Sequence, residues 1–131
     1  MKNKWLFIAA LSGFFCIAFG AFAAHGAAHG LEKNLTPKAL AWIETGLKYQ
    51  FFHTVALMVL GTLQLYLKAD IDRVINWIGS TWSLGIVLFS GSLYALALGA
   101  TKSVAWLTPI GGTLFLIGWA MLAYRSYKNK S

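Results

Sequence analysis

Four long stretches of this chain carry no charged side chain, and they leave few folds open to it. They run from Trp5 to Ala24, from Phe51 to Leu67, from Trp77 to Gly99 and from Val104 to Tyr124. A helix needs about 20 residues to cross a hydrocarbon core, and three of the stretches reach that length. The second is shorter, but Leu47 to Gln50 extend it where the chain enters. Lone strands would leave their backbone groups unsatisfied in lipid, and the runs lack the alternation of barrel strands. Only 11% of the residues are charged, too few to cover a soluble globule of this size, in which about a quarter would be charged. The expectation is an all-α membrane protein, one domain over residues 1–131. Four transmembrane helices would form a compact bundle, with spans at about 5–24, 47–67, 75–99 and 104–124.

The first stretch invites a second reading as a signal peptide. Lys2 and Lys4 precede it, and Ala21-Phe22-Ala23-Ala24 has the small-residue form of a cleavage site. A signal core is only ~7–15 residues long, shorter than this run. Ser12, Cys16 and Gly20 also recur at four-residue spacing, a stripe that lets helices approach closely. A retained span is therefore expected. Cys16 is the single cysteine, so no internal disulfide and no cysteine-based metal site can form.

Connections between the stretches are short except the first. There Ala23-Ala24-His25-Gly26 is repeated at once as Ala27-Ala28-His29-Gly30. Further on, Thr36 followed by Pro37 is a helix start, a capping side chain and then a first-turn proline. Ala39, Leu40, Trp42, Ile43 and Leu47 then recur at helical spacing among Lys38, Glu44 and Lys48. This predicts a short amphipathic helix leading into the second span.

Basic residues set the orientation. Lys2, Lys4, Lys68, Arg73, Arg125, Lys128 and Lys130 fall on the side of the termini. Only Lys33, Lys38, Lys48 and Lys102 fall on the other. The positive-inside bias places both termini in the cytoplasm. The net charge of +7 then reads as topology and contact with anionic headgroups. No concentrated basic face on a folded soluble surface is present for nucleic acid.

Several ordered motifs carry a resemblance. Gly20-Ala21-Phe22-Ala23-Ala24-His25 comes first, then Trp42-Ile43-Glu44-Thr45-Gly46-Leu47 with Tyr49-Gln50 and His53. Leu88-Phe89-Ser90-Gly91-Ser92-Leu93-Tyr94, Thr108-Pro109-Ile110-Gly111-Gly112 and Gly118-Trp119 follow. In this order they resemble the YgdD/YwdK-like family of small bacterial inner-membrane proteins of unknown function. The resemblance covers almost the whole chain and implies four helices in the cytoplasmic membrane, with no reaction attached. The His25/His29 duplication departs from the family pattern; His25 is favoured for the histidine position because Gly20-Ala21-Phe22 leads straight to it.

Polar residues inside a membrane are costly and often functional. His25 closes the first span at the outer face, and His53 is expected roughly 5–10 Å below that surface. Tyr49, Gln50 and His53 share one helical face, and Ser90 and Tyr94 share another. With Thr108 these residues form a candidate polar cluster in the outer half of the bundle. Ser12, Gln64, Ser80 and Ser83 make the inner half poorer. Small residues at Gly20, at Gly91, Ala95 and Gly99, and at Gly111 and Gly118 are expected to pack helices together. Pro109 either starts the fourth helix or kinks it. Trp82 and Trp119 receive no role.

Three uses of the cluster follow: interhelical hydrogen bonding, a small-ligand or metal pocket at His53 with His25 or His29, and a proton or solute path. The last lacks the embedded acid that proton relays commonly use, since Glu32, Glu44, Asp70 and Asp72 all lie at interfaces or loops. No phosphate loop, dinucleotide fingerprint or zinc-protease motif is present. The sequence therefore implies no enzyme, no metal and no cofactor. It points to a membrane protein with a structural or accessory role, alone, as a homo-oligomer or within a larger membrane complex.

Overall fold

The computed structural model describes residues 3–28, 36–66 and 69–128. Among these residues there are helices and no strands. The elements are α1 (Lys4–Ala28), α2 (Pro37–Tyr66), α3 (Ala69–Gly85), a π-helical turn (Ile86–Ser90), α4 (Gly91–Ala97), a 3-10 helix (Lys102–Trp106) and α5 (Leu107–Lys128). α3, the π turn and α4 form one rod. His29, Lys33 and the charged residues at 68, 2 and 130 lie outside the described residues, as does the last position of the expected 47–67 span.

Local chemistry accounts for the helix ends. Asn3 caps α1, its Oδ1 accepting the Leu6 N–H at 3.1 Å. Thr36 caps α2 in the same way, through Ala39 N–H at 3.0 Å, and Pro37 occupies the first turn. The amphipathic stretch is not separated from the second apolar run. Nothing between Lys48 and Phe51 breaks a helix, and α2 runs through 30 residues without interruption. Pro109 lies in the first turn of α5, where its missing N–H has no helical acceptor to lose, so it starts the helix and does not kink it.

α4 ends in a hydrogen-bonded reversal. Ala100 N–H reaches Ala95 O at 2.9 Å, and Gly99 N–H reaches Leu96 O at 3.2 Å. Gly99 sits between them at φ 104°, a conformation that favours glycine.

Consecutive rods run antiparallel, and the contacts give the register. Asn3 meets Gly61, Ser12 meets Thr54, and Cys16 meets Leu47. α3–α4 and α5 are matched closely: a Cβ on Gly118 would strike Trp82, one on Gly85 would strike Phe115, and one on Gly111 would strike the Phe89 backbone. α1 and α5 lie parallel to the rods they touch across the bundle, through Trp5 against Gly79 and Trp119 against His53.

The interior is layered. One apolar core joins Trp5, Ala9, Leu57, Leu60, Ile75, Ile78, Trp82, Ile86 and Phe115. A smaller one joins Ala23, Ala39, Ile43 and Ala97 near the other end. The outside is apolar as well: Ile17 is 73% exposed and Leu116 72%. Lipid covers such a surface, whereas water would make it aggregate. Three helical segments, Lys4–His25, Arg73–Ala97 and Lys102–Lys128, are long and apolar enough to cross a membrane.

Candidate functional site

Between the two apolar cores lies a belt of hydrogen-bonded side chains at the level of the α2 turn Gly46 to Thr54. Gln50 is its hub. Its Nε2 donates to Ser12 O and Ser12 Oγ, both at 3.1 Å, and its Oε1 accepts the Tyr94 hydroxyl at 2.6 Å. Ser12 Oγ also bonds Thr54 Oγ1 at 2.7 Å. Ser90 Oγ donates to Gly46 O at 2.7 Å, tying the end of the π turn to α2. Gln50 uses both amide protons and its carbonyl, so no donor of the hub is left for a ligand.

His53 faces another way, toward α5. Trp119 Nε1 donates to its Nε2 at 3.0 Å, and Tyr49 O lies 2.9 Å from its Nδ1. An indole N–H only donates and a carbonyl only accepts, so the ring carries its proton on Nδ1. Both nitrogens are thereby occupied. The imidazole stacks on Phe115 with centroids 3.6 Å apart and 9° between planes. Trp82 packs beside it and donates to Phe115 O at 3.3 Å.

The residues expected to form one outer cluster therefore divide. Gln50 and Tyr94 bond each other, with Ser90 one turn away. Tyr49 meets His53 only through its backbone oxygen, while its ring packs on Phe89 at 4.9 Å. Thr108 pairs with Ser92, away from both. His25 is exposed on the last turns of α1. The α1–α2 register sets it level with the Ala39 turn, roughly 20 Å along the axis from His53, so the two cannot share a ligand. His29 lies outside the described residues. Among those residues, no three His, Cys, Asp or Glu side chains are grouped to hold a metal ion.

Two further expectations are corrected. Gly91 and Gly99 do not pack helices: a Cβ on either would meet nothing within 4 Å, and Gly99 serves the α4 reversal. Ala95 next to them is half-buried, and Gly20 makes ordinary contact with Leu47. The close approaches are at Gly46, Gly61, Gly79 and Gly85, with Gly111 and Gly118. The end holding the termini is also richer in polar contacts than expected. Asn3 Nδ2 donates to Gly61 O at 2.7 Å, and Trp5 Nε1 to Asn76 Oδ1 at 2.9 Å. Gln64 Nε2 approaches the same Asn76 oxygen at 3.5 Å. Ser12 belongs to the central belt.

Sequence reasoning missed Trp119, Trp82, Thr54 and Ser92. The tryptophans were readable in part, because an indole N–H within a membrane needs an acceptor.

Side chains alone fill the seam where α2 and α5 run parallel, and it opens sideways to lipid. A groove of about 330 Å³ runs along it past Phe51, Val55, Val59, Leu63, Trp119 and Leu122. A second, of about 400 Å³, continues past Tyr49, His53, Phe89, Pro109 and Leu116. A third, also about 400 Å³, lies between α1 and α4 over Gln50 and Tyr94.

An apolar exterior around a belt of internally satisfied polar groups defines an integral membrane protein of the helical-bundle class. The chain belongs to the DUF423 family of proteins of unknown function, whose model matches residues 19–112. It is 57% identical over 132 residues to a UPF0382 membrane protein of Haemophilus influenzae, covering 100% of this chain and 99% of that one. It is 44% identical over 131 residues to the UPF0382 inner membrane protein YgdD of Escherichia coli K12, covering 99% and 95%. A UPF0382 membrane protein of Staphylococcus saprophyticus is 37% identical over 124 residues, covering 95% and 97%. No solved structure matches.

Proposed function

We propose that the protein is a non-catalytic inner-membrane component that spans the bilayer four times and serves as a structural or accessory subunit of a membrane assembly. The observation that carries this reading is the state of the polar belt at the level of Gly46 to Thr54. Gln50, Ser12, Thr54, Tyr94 and Ser90 bond to one another or to backbone, and His53 bonds to Tyr49 O and to Trp119, across five helical segments. A catalytic or transport site keeps a polar group free for its substrate; these hold helices together.

In this reading α2 also spans, second in chain order, its apolar part beginning near Tyr49. Both ends carry basic side chains beside aromatic rings, as interfacial anchors do. Lys4 lies 5.0 Å from the Trp5 ring and Lys128 5.5 Å from that of Tyr124, while Lys38 lies 5.3 Å from Trp42 at the other end. The excess of basic residues at the first end supports a cytoplasmic position for both termini. Alkaline phosphatase fused after Lys38 is expected to be active, and fused after Lys128 inactive. The opposite pattern would invert the topology.

The functional reading is tested by native mass spectrometry of the protein extracted gently from its own membrane. The expected species is the chain with a stoichiometric protein partner or a second copy, unchanged in small-molecule content by His53→Ala. A stoichiometric small mass lost on that substitution, with the fold retained, would replace the accessory reading with a ligand-binding one.

A further inference from the structure

The α2–α5 seam ends near a basic residue whose Nε has no hydrogen-bond partner among the described residues. Arg125 is one turn beyond Leu122, which lines the groove, and its Nε is buried without a hydrogen-bond acceptor. Arg125 as a whole is only partly buried, and the donor fork of a guanidinium matches phosphate oxygens in geometry. From the seam and this arginine we infer a binding site for one anionic phospholipid, its acyl chain along α2 and α5 and its phosphate at Arg125.

Dimensions fit this occupant. From Phe51 to Leu63 the groove follows α2 for about 18 Å at 1.5 Å per residue, close to half of a hydrocarbon core of ~30 Å. One leaflet's acyl chain has that reach. Val55 and Val59 are 44% and 54% exposed, so the groove opens sideways onto the lipid, and a chain enters without crossing protein. Arg125 follows Tyr124, the last residue of the fourth apolar stretch, and therefore lies at headgroup depth. Lys128 is one turn further out, so the local charge favours an anionic headgroup over a zwitterionic one. The site is independent of any protein partner.

The test uses the full chain in vesicles of equimolar phosphatidylglycerol and phosphatidylcholine, extracted in mild detergent and weighed by native mass spectrometry. One retained phosphatidylglycerol in excess over phosphatidylcholine is expected. Arg125→Gln should lower that preference about fivefold, the factor corresponding to about 1 kcal/mol per basic residue. Arg125→Lys should keep most of it. Ala56→Phe, which fills the groove without touching the charge, should lower retention of both lipids. Retention in the bulk ratio overturns the inference, as does a preference that Arg125→Gln and Ala56→Phe both leave unchanged. Should Arg125→Gln fail to fold, the Lys and Phe variants decide alone.

Discussion

Gly111→Ala is expected to destabilise the bundle by about 3 kcal/mol, read as a lower midpoint when sodium dodecyl sulfate is titrated into mild-detergent micelles. At this position α5 rests directly on the rod before it. A Cβ would lie 2.8 Å from both Cα and Cβ of Phe89 and closer still to its backbone nitrogen. A clashing side chain can rotate away, but the Phe89 backbone cannot. Phe89 belongs to the π turn, which is itself pinned from the opposite side by the Ser90 bond to Gly46. The rod has nowhere to go, so α5 must move out and lose the contacts of Phe115 and Gly118. Gly91→Ala is the matched control: its site is open, and helix propensity alone should make the variant neutral or about 0.5–1 kcal/mol more stable. Equal effects at the two positions would show that α5 does not sit in this register.

Gln50→Leu should be the next most damaging change, at about 2 kcal/mol in the same titration. Leucine fills similar space, so the loss is in hydrogen bonding. Ser12 loses the amide that donates to it twice, and the Tyr94 hydroxyl loses its acceptor. Tyr94→Phe keeps the ring against Gly46, where a Cβ would lie 2.6 Å from its Cε1, and should cost about 0.6 kcal/mol, the average for such bonds in membranes. The double variant should fall short of the sum of the two, because both substitutions remove the same bond. Strict additivity would mean that the two side chains do not meet.

Much of the architecture could be read before any coordinates, because the membrane enforces it. Four charge-free runs had to be helical, and Thr36-Pro37 announced the start of α2. The facing of Gln50 toward Tyr94 was half legible: each stood on a polar face, but nothing local said that the faces met. The glycines show where such reading ends. Gly91 and Gly111 are both helical small residues at favourable spacing, yet one faces open space and the other a backbone. Only the angle between rods distinguishes them. Gly99 was readable as a terminator, since no charged or apolar helix pattern continues past it, but its spacing from Gly91 imitated a packing stripe. Asn3 and Asn76 were overlooked because polar residues near span ends look like flanks, and their bonds to Gly61 and Trp5 depend on helices far apart in sequence. His25 and His53 seemed neighbours because each lay near the same face of the membrane. The continuous α2 separates them by four turns.

The order in which partners appear along the chain bears on its biosynthesis. A membrane protein is threaded into the bilayer from its N-terminus, so early segments wait for later ones. Gln50 finds Ser12 within the first hairpin, and that pair is complete as soon as α2 is in place. His53 Nε2 has no donor until Trp119, which belongs to α5 and is made after α1 to α4. A chain cut short before α5 keeps the Nδ1 bond to Tyr49 O but leaves His53 Nε2 without its donor. Once α5 is in place Trp119 donates to that nitrogen, so the polar belt is satisfied only when both ends of the chain have met.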